Sequence, residues 1–165
     1  MKKKITRIIW HILTLACMAC IFYLSSQDSG SSSKMSGEFI GKLANIFVGD
    51  FKNMTESQQM LFISGAQRIV RKYAHFFIYS VLGFFTMGTM YTYKMNLKSK
   101  LLTALAVVFL YAVSDEIHQI FVPGRSCEVR DVLIDTAGAT LGILFMTTTT
   151  SLCRSSRRRR GQTDV

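Results

Sequence analysis

The chain has 165 residues, enough for one modest domain, yet 49% of them are hydrophobic and a single proline interrupts it. Its mean hydropathy is positive at +0.26, and polar residues collect in blocks instead of alternating along the chain, which argues against an ordinary soluble core. The net charge of +10 invites a nucleic-acid partner, but no aromatic side chains are interleaved with the arginines of the tail to stack bases, so no nucleic acid is expected.

Four apolar windows, 8–24, 74–93, 101–121 and 132–152, each come near the roughly 20 residues that cross hydrocarbon. The expected fold is all-α: one domain over 1–165, an integral membrane bundle of four transmembrane helices. The first window follows the basic start "MKKKITR", and "TLAC" faintly resembles a lipoprotein cleavage site. Cys17 is followed by "MACIFYL", further membrane-grade sequence, so an uncleaved signal anchor is the better reading. Cys17 and Cys20 at CxxC spacing read as small packing residues within a bilayer helix, and no disulfide is implied.

Residues 25–73 form the expected outer loop. Its serine- and glycine-rich start "SSQDSGSSSKMSG" suits a flexible connector. Beyond it Phe39, Ile40, Leu43, Ile46 and Phe47 recur at helical spacing, the pattern of a helix lying on the membrane or across the bundle. "TESQ" from Thr55 to Gln58 has capping-box spacing, so a further helix is expected to begin near Glu56, with Gly65 weakening its continuity into the second window.

Charge sets the orientation. Lys2, Lys3, Lys4 and Arg7 precede the first window, Lys94, Lys98 and Lys100 separate the second from the third, and Arg154 with Arg157 to Arg160 follow the fourth. These are alternate loops, and cationic loops stay in the cytoplasm. Both termini are therefore expected inside a bacterial cytoplasmic membrane, with 153–165 a basic tail held at anionic lipid.

On a helical wheel the polar residues within the windows line up. Arg71, His75, Tyr79 and Gly83 share a face of the second helix; Asp115 and Gln119 stack on the third, flanked by Glu116 and His118; Asp131 and Asp135 run on into Gly138 and Gly142 of the fourth. Small residues on that last stripe would let a neighbouring helix approach closely. In the expected topology all these polar sets lie at the outer end. "VPGRS" supplies a turn at Pro123 and Gly124, making the third and fourth helices antiparallel neighbours and holding Arg125 and Arg130 over the carboxylates.

The blocks "SSQDSGSSSKMS", "RKYAHFFIYSVLG" and "SDEIHQIFVPGRSCEVRDVLIDTAGATLGI" resemble the successive signature blocks of the VanZ-like membrane proteins. That resemblance implies a small bacterial multi-span protein linked to the cell envelope and, in the founding member, to reduced susceptibility to the glycopeptide teicoplanin. Many relatives carry a glutamate directly before the tyrosine of the second block, where this sequence has Ile78.

Several roles remain open for the cluster of Arg71, His75, Tyr79, Asp115, Glu116, His118, Gln119, Arg125, Arg130, Asp131 and Asp135. Arginine–carboxylate pairs could simply fasten the helices. Against that, the surplus of histidine, tyrosine and carboxamide goes beyond what fastening needs, and ionisable residues within a membrane point first to function. One reading is an outward pocket whose arginines hold the phosphate or carboxylate of an envelope lipid, a lipid-linked cell-wall precursor or a glycopeptide antibiotic. Another is a hydrolase or transferase on a lipid-linked substrate with His75 or His118 as general base. A metal site drawn from His75, His118 and the carboxylates is the third, but "DEIHQ" lacks the spacing of HExxH, and neither a metal nor a cofactor is expected.

Overall fold

The computed structural model describes residues 2–27, 29–123, 125 and 127–163; for 2, 29–36 and 157–163 it describes the backbone alone. The regular elements among them are helical: α1 Lys2–Ser25, α2 Ser29–Phe47, a 3₁₀ turn at Phe51–Asn53, α3 Glu56–Tyr91, α4 Leu97–Gln119 and α5 Val129–Thr163. The helix starts follow local chemistry. Thr55 and Gln58 form the reciprocal capping box expected of "TESQ", and Asn96 accepts the Ser99 N–H at 2.8 Å to open α4. Between α4 and α5 the Arg125 N–H donates to the Val122 carbonyl at 3.1 Å, closing a four-residue reversal over Pro123. The expected turn falls partly on Gly124, which lies outside the described residues.

Two local expectations are corrected. The serine-rich connector is helical from Ser29 onward. Once Ile40 and Ala44 of α2 are buried and the helix is nucleated, each added residue brings its own hydrogen bond, so it propagates back into the serines. Nor does Gly65 break α3, which runs unbroken from Glu56 to Tyr91. One glycine costs a helix only about 1 kcal/mol, too little to interrupt so long a run.

Lys3–Ser25, Leu97–Gln119 and Val129–Ser156 are long and apolar enough to cross a membrane. α3 falls short on hydropathy because His75, Tyr79, Gly83, Thr86, Gly88 and Thr89 dilute its second half. Its position explains the dilution: α3 packs against α1, α2, α4 and α5, and most extensively against α5. A helix surrounded by protein need not present apolar side chains to lipid.

Side-chain contacts set the helix directions. Arg7 reaches the Thr92 carbonyl and Thr14 meets Thr89, so α1 and α3 are antiparallel. Tyr111 donates to the Met18 carbonyl at 2.6 Å and Ser25 to Asp115 at 2.9 Å, so α1 and α4 are parallel. α3 and α5 are also parallel and very close: a Cβ built on Gly138 would fall on the Phe76 carbonyl, and one on Gly142 on the Ser80 carbonyl. The small-residue stripe of α5 thus faces α3, which is the close neighbour that the wheel left unnamed.

The interior mixes small residues, Ala104, Val108, Ala112 and Ala139, with the larger Ile21, Tyr79, Leu82 and Met87, while Leu15, Leu110 and Phe145 are each more than 60% exposed. Large apolar side chains turned outward, with alanines at the helix contacts, suit lipid surroundings. At one end of the bundle the cations converge on tyrosines. The Arg7 guanidinium lies 4.7 Å from the Tyr93 ring centre, and Lys100 and Arg154 lie 4.9 and 5.6 Å from that of Tyr91.

Candidate functional site

At the opposite end α3, α4 and α5 enclose a cavity of about 270 Å³. α3 brings Arg68, Arg71, Lys72 and His75 to it, positions three and four apart and hence on one face. α4 contributes Glu116 and Gln119, the loop Arg125 and Glu128, and α5 Asp131, Ile134 and Asp135.

Asp115 is buried just beneath. Its Oδ2 accepts from Ser25 Oγ at 2.9 Å and lies 3.4 Å from both Tyr79 Oη and Gln119 Nε2, while its Oδ1 has no partner. Asp135 is fully buried with neither oxygen hydrogen-bonded; His75 Nδ1, at 3.6 Å from its Oδ2, stands beyond hydrogen-bond length. Glu116 reaches from α4 to the start of α5, where its Oε2 accepts the Glu128 N–H at 3.0 Å. A carboxylate there satisfies an otherwise orphaned donor at a helix N-terminus.

Arginine–carboxylate pairs, the fastening reading left open by the sequence, are not what the described residues of the cluster adopt. Among the described residues the ion pairs run from Lys72 to Asp131 at 2.6 Å, from Lys72 to Glu128 at 3.2 Å and from His75 to Asp135. The hydrogen bond to Asp131 holds the Lys72 ammonium above its usual range, so it stays charged through neutral pH. Arg125 turns instead to α1, where its Nη2 donates to the carbonyls of Gln27 at 3.2 Å and Leu24 at 3.4 Å. The last carbonyls of a helix lack intrahelical donors, and a guanidinium satisfies them well. Nε and Nη1 of Arg125 are buried without a partner. Burial, and then the neighbouring Arg71 guanidinium, pull Arg125 below the usual guanidinium range.

The structure thus brings Arg71, His75, Glu116, Gln119, Arg125, Asp131 and Asp135 to one cavity, with Asp115 and Tyr79 directly below. His118 and Arg130 lie elsewhere. His118 stacks on Phe22 with ring centres 4.4 Å apart and meets Ser26 at 3.1 Å, while Arg130 is exposed. The wheel left both sides of Asp115 open; packing selects the Glu116 side, about 160° of arc from His118 at roughly 100° per residue. Sequence reasoning missed Ser25, Arg68, Lys72 and Glu128. Arg68 and Lys72 were findable, being three residues before Arg71 and three before His75 on the same stripe, whereas Ser25 was hidden in a serine-rich run.

A second cavity of about 330 Å³ shares Arg71, His75 and Arg125 with the first. It shares Val70, Ala74 and Ile78 with an open apolar groove that runs down between α1 and α3 past Cys17, Phe77 and Phe85. Polar cavity and apolar groove therefore adjoin through shared walls.

Membrane-length apolar helices joined to a charged cavity at one end of the bundle define a polytopic helical membrane protein. The chain belongs to the VanZ/LLP1 family, which it matches over residues 10–151. Comparisons with curated proteins and with solved structures found no match.

Proposed function

We propose that this is a four-span protein of the bacterial cytoplasmic membrane whose outward cavity binds an anionic envelope lipid or lipid-linked precursor. The second half of α3 is the fourth span, both termini are cytoplasmic, and α2 with the first half of α3 lies on the outer side. Gathering of Arg7, Lys100 and Arg154 at the end opposite the cavity supports that orientation. A role in lowering susceptibility to teicoplanin follows if the bound lipid belongs to cell-wall synthesis.

The observation that carries the anion reading is Arg125, with two buried guanidinium donors unpartnered and Arg71 beside it on the same cavity. Two neighbouring guanidinium groups with unused donors suit a phosphate, which supplies both charge and acceptors. The adjoining apolar groove suits the tail of the same molecule.

The test is lipid retention by the purified full-length protein, measured by native mass spectrometry with phosphatidic acid and with diacylglycerol of the same chains. The phosphate-bearing lipid should be held, the neutral one lost, and Arg125→Lys should weaken retention about tenfold or more, since an ammonium cannot reproduce the planar donor set. Equal retention of both lipids, or a variant indistinguishable from wild type, contradicts the reading.

A further inference from the structure

We propose that His75, Asp115 and Asp135 form a binding site for a divalent cation that accepts both nitrogen and oxygen ligands, of the zinc or manganese type. One ligand atom from each lies within 4.8 Å of the other two, on three different helices. Among the described residues this is the only such grouping of histidine, cysteine and carboxylate side chains.

The carboxylates argue for a ligand more strongly than their proximity does. Asp135 is 0% exposed with neither oxygen hydrogen-bonded, and Asp115 is 2% exposed with Oδ1 lacking a hydrogen bond. Buried carboxylates in native proteins are paired or coordinate metals, because an isolated one is too costly to keep ionised. Neither Lys72 nor Arg125 does the pairing here: Lys72 is engaged with Glu128 and Asp131 at the rim, and Arg125 with the end of α1. His75, 3.6 Å from Asp135, pairs with it only when protonated, and as a neutral imidazole it offers a ligand nitrogen instead.

The donors around Asp115 have the pattern of a ligand's support. Ser25, Tyr79 and Gln119 all address Oδ2, which orients the carboxylate and leaves Oδ1 without a hydrogen bond. Separations up to 4.8 Å exceed the span of two opposed zinc bonds of about 2.1 Å, so the side chains would draw in slightly on binding zinc. One imidazole with two carboxylates fits Zn²⁺ or Mn²⁺ better than the all-oxygen preference of Mg²⁺ or Ca²⁺. Because His75 and Asp135 also line the cavity, a coordination position is left facing it, open to water or to an anionic oxygen. The proposal does not depend on the lipid reading, since the ion is bound by the chain alone.

The experiment uses full-length protein in detergent, stripped with EDTA and dialysed against Zn²⁺ or Mn²⁺ at micromolar concentration, with metal counted by mass spectrometry after gel filtration. Wild type should retain about one ion per chain, as expected of a three-ligand site. Asp135→Asn should retain less than about a tenth of that, while Asp131→Asn, a rim carboxylate outside the triad, should match wild type. Thermal midpoints guard against misfolding: wild type should melt higher with metal than in EDTA, and folded Asp135→Asn should not respond. Wild type and Asp135→Asn carrying equal metal, or a wild-type midpoint indifferent to EDTA, overturns the proposal.

Discussion

Ser25, the last residue of α1, donates a 2.9 Å hydrogen bond to the carboxylate of Asp115 near the end of α4, and neither side chain reaches solvent. This bond closes the bundle beneath the cavity and fixes which Asp115 oxygen stays free. Ser25→Ala should lower stability by about 1–3 kcal/mol, the cost of leaving a buried acceptor under-satisfied. The check is the thermal midpoint in detergent against wild type and Ser25→Thr, which keeps the hydroxyl.

The α3–α5 contact predicts glycine substitutions of opposite sign. Gly142→Leu would drive a side chain into the Ser80 carbonyl and should abolish the folded bundle, read as loss from the membrane fraction. Gly65→Ala meets nothing within 4 Å and sits in a continuous helix, so it should stabilise by about 0.5–1 kcal/mol. Equal behaviour of the two variants would argue against close backbone contact between α3 and α5.

His75 and His118 should separate cleanly. His75→Ala is expected to weaken retention of phosphatidic acid about tenfold, the order of one charge-assisted contact, with membrane abundance maintained. His118→Ala, stacked on Phe22 away from the cavity, should bind as wild type does.

Most of this arrangement was legible from residue spacing. Arg71 and His75, Asp115 and Gln119, and Asp131 and Asp135 lie on helix faces a wheel can draw, and the Gly138 and Gly142 stripe announced a close neighbour. Spacing could not say which cation serves which acid. Arg125, arriving from a loop, is captured by the carbonyls at the end of α1, and Lys72 takes the rim carboxylates instead. That partition depends on where α1 ends, a tertiary fact with no trace in the pattern of α4 or α5.

Lys72 provides a counter-prediction. Its pairs with Asp131 and Glu128 are partly exposed, so Lys72→Met should cost no more than about 1 kcal/mol and less at high salt. Thermal midpoints at low and high ionic strength decide this. A large, salt-independent loss would mean the rim is far less hydrated than its exposure indicates.

Orientation of the cavity is the claim on which the rest stands, and two native cysteines test it directly. Cys127 is exposed in the loop beside the cavity, and Cys153 is exposed on α5 toward the cationic end. Variants retaining only one or the other, with the remaining cysteines replaced by alanine, can be treated on intact cells with a membrane-impermeant thiol reagent. The account predicts that Cys127 is labelled at once and Cys153 only after the cells are opened; equal labelling of both, or the reverse order, would contradict it.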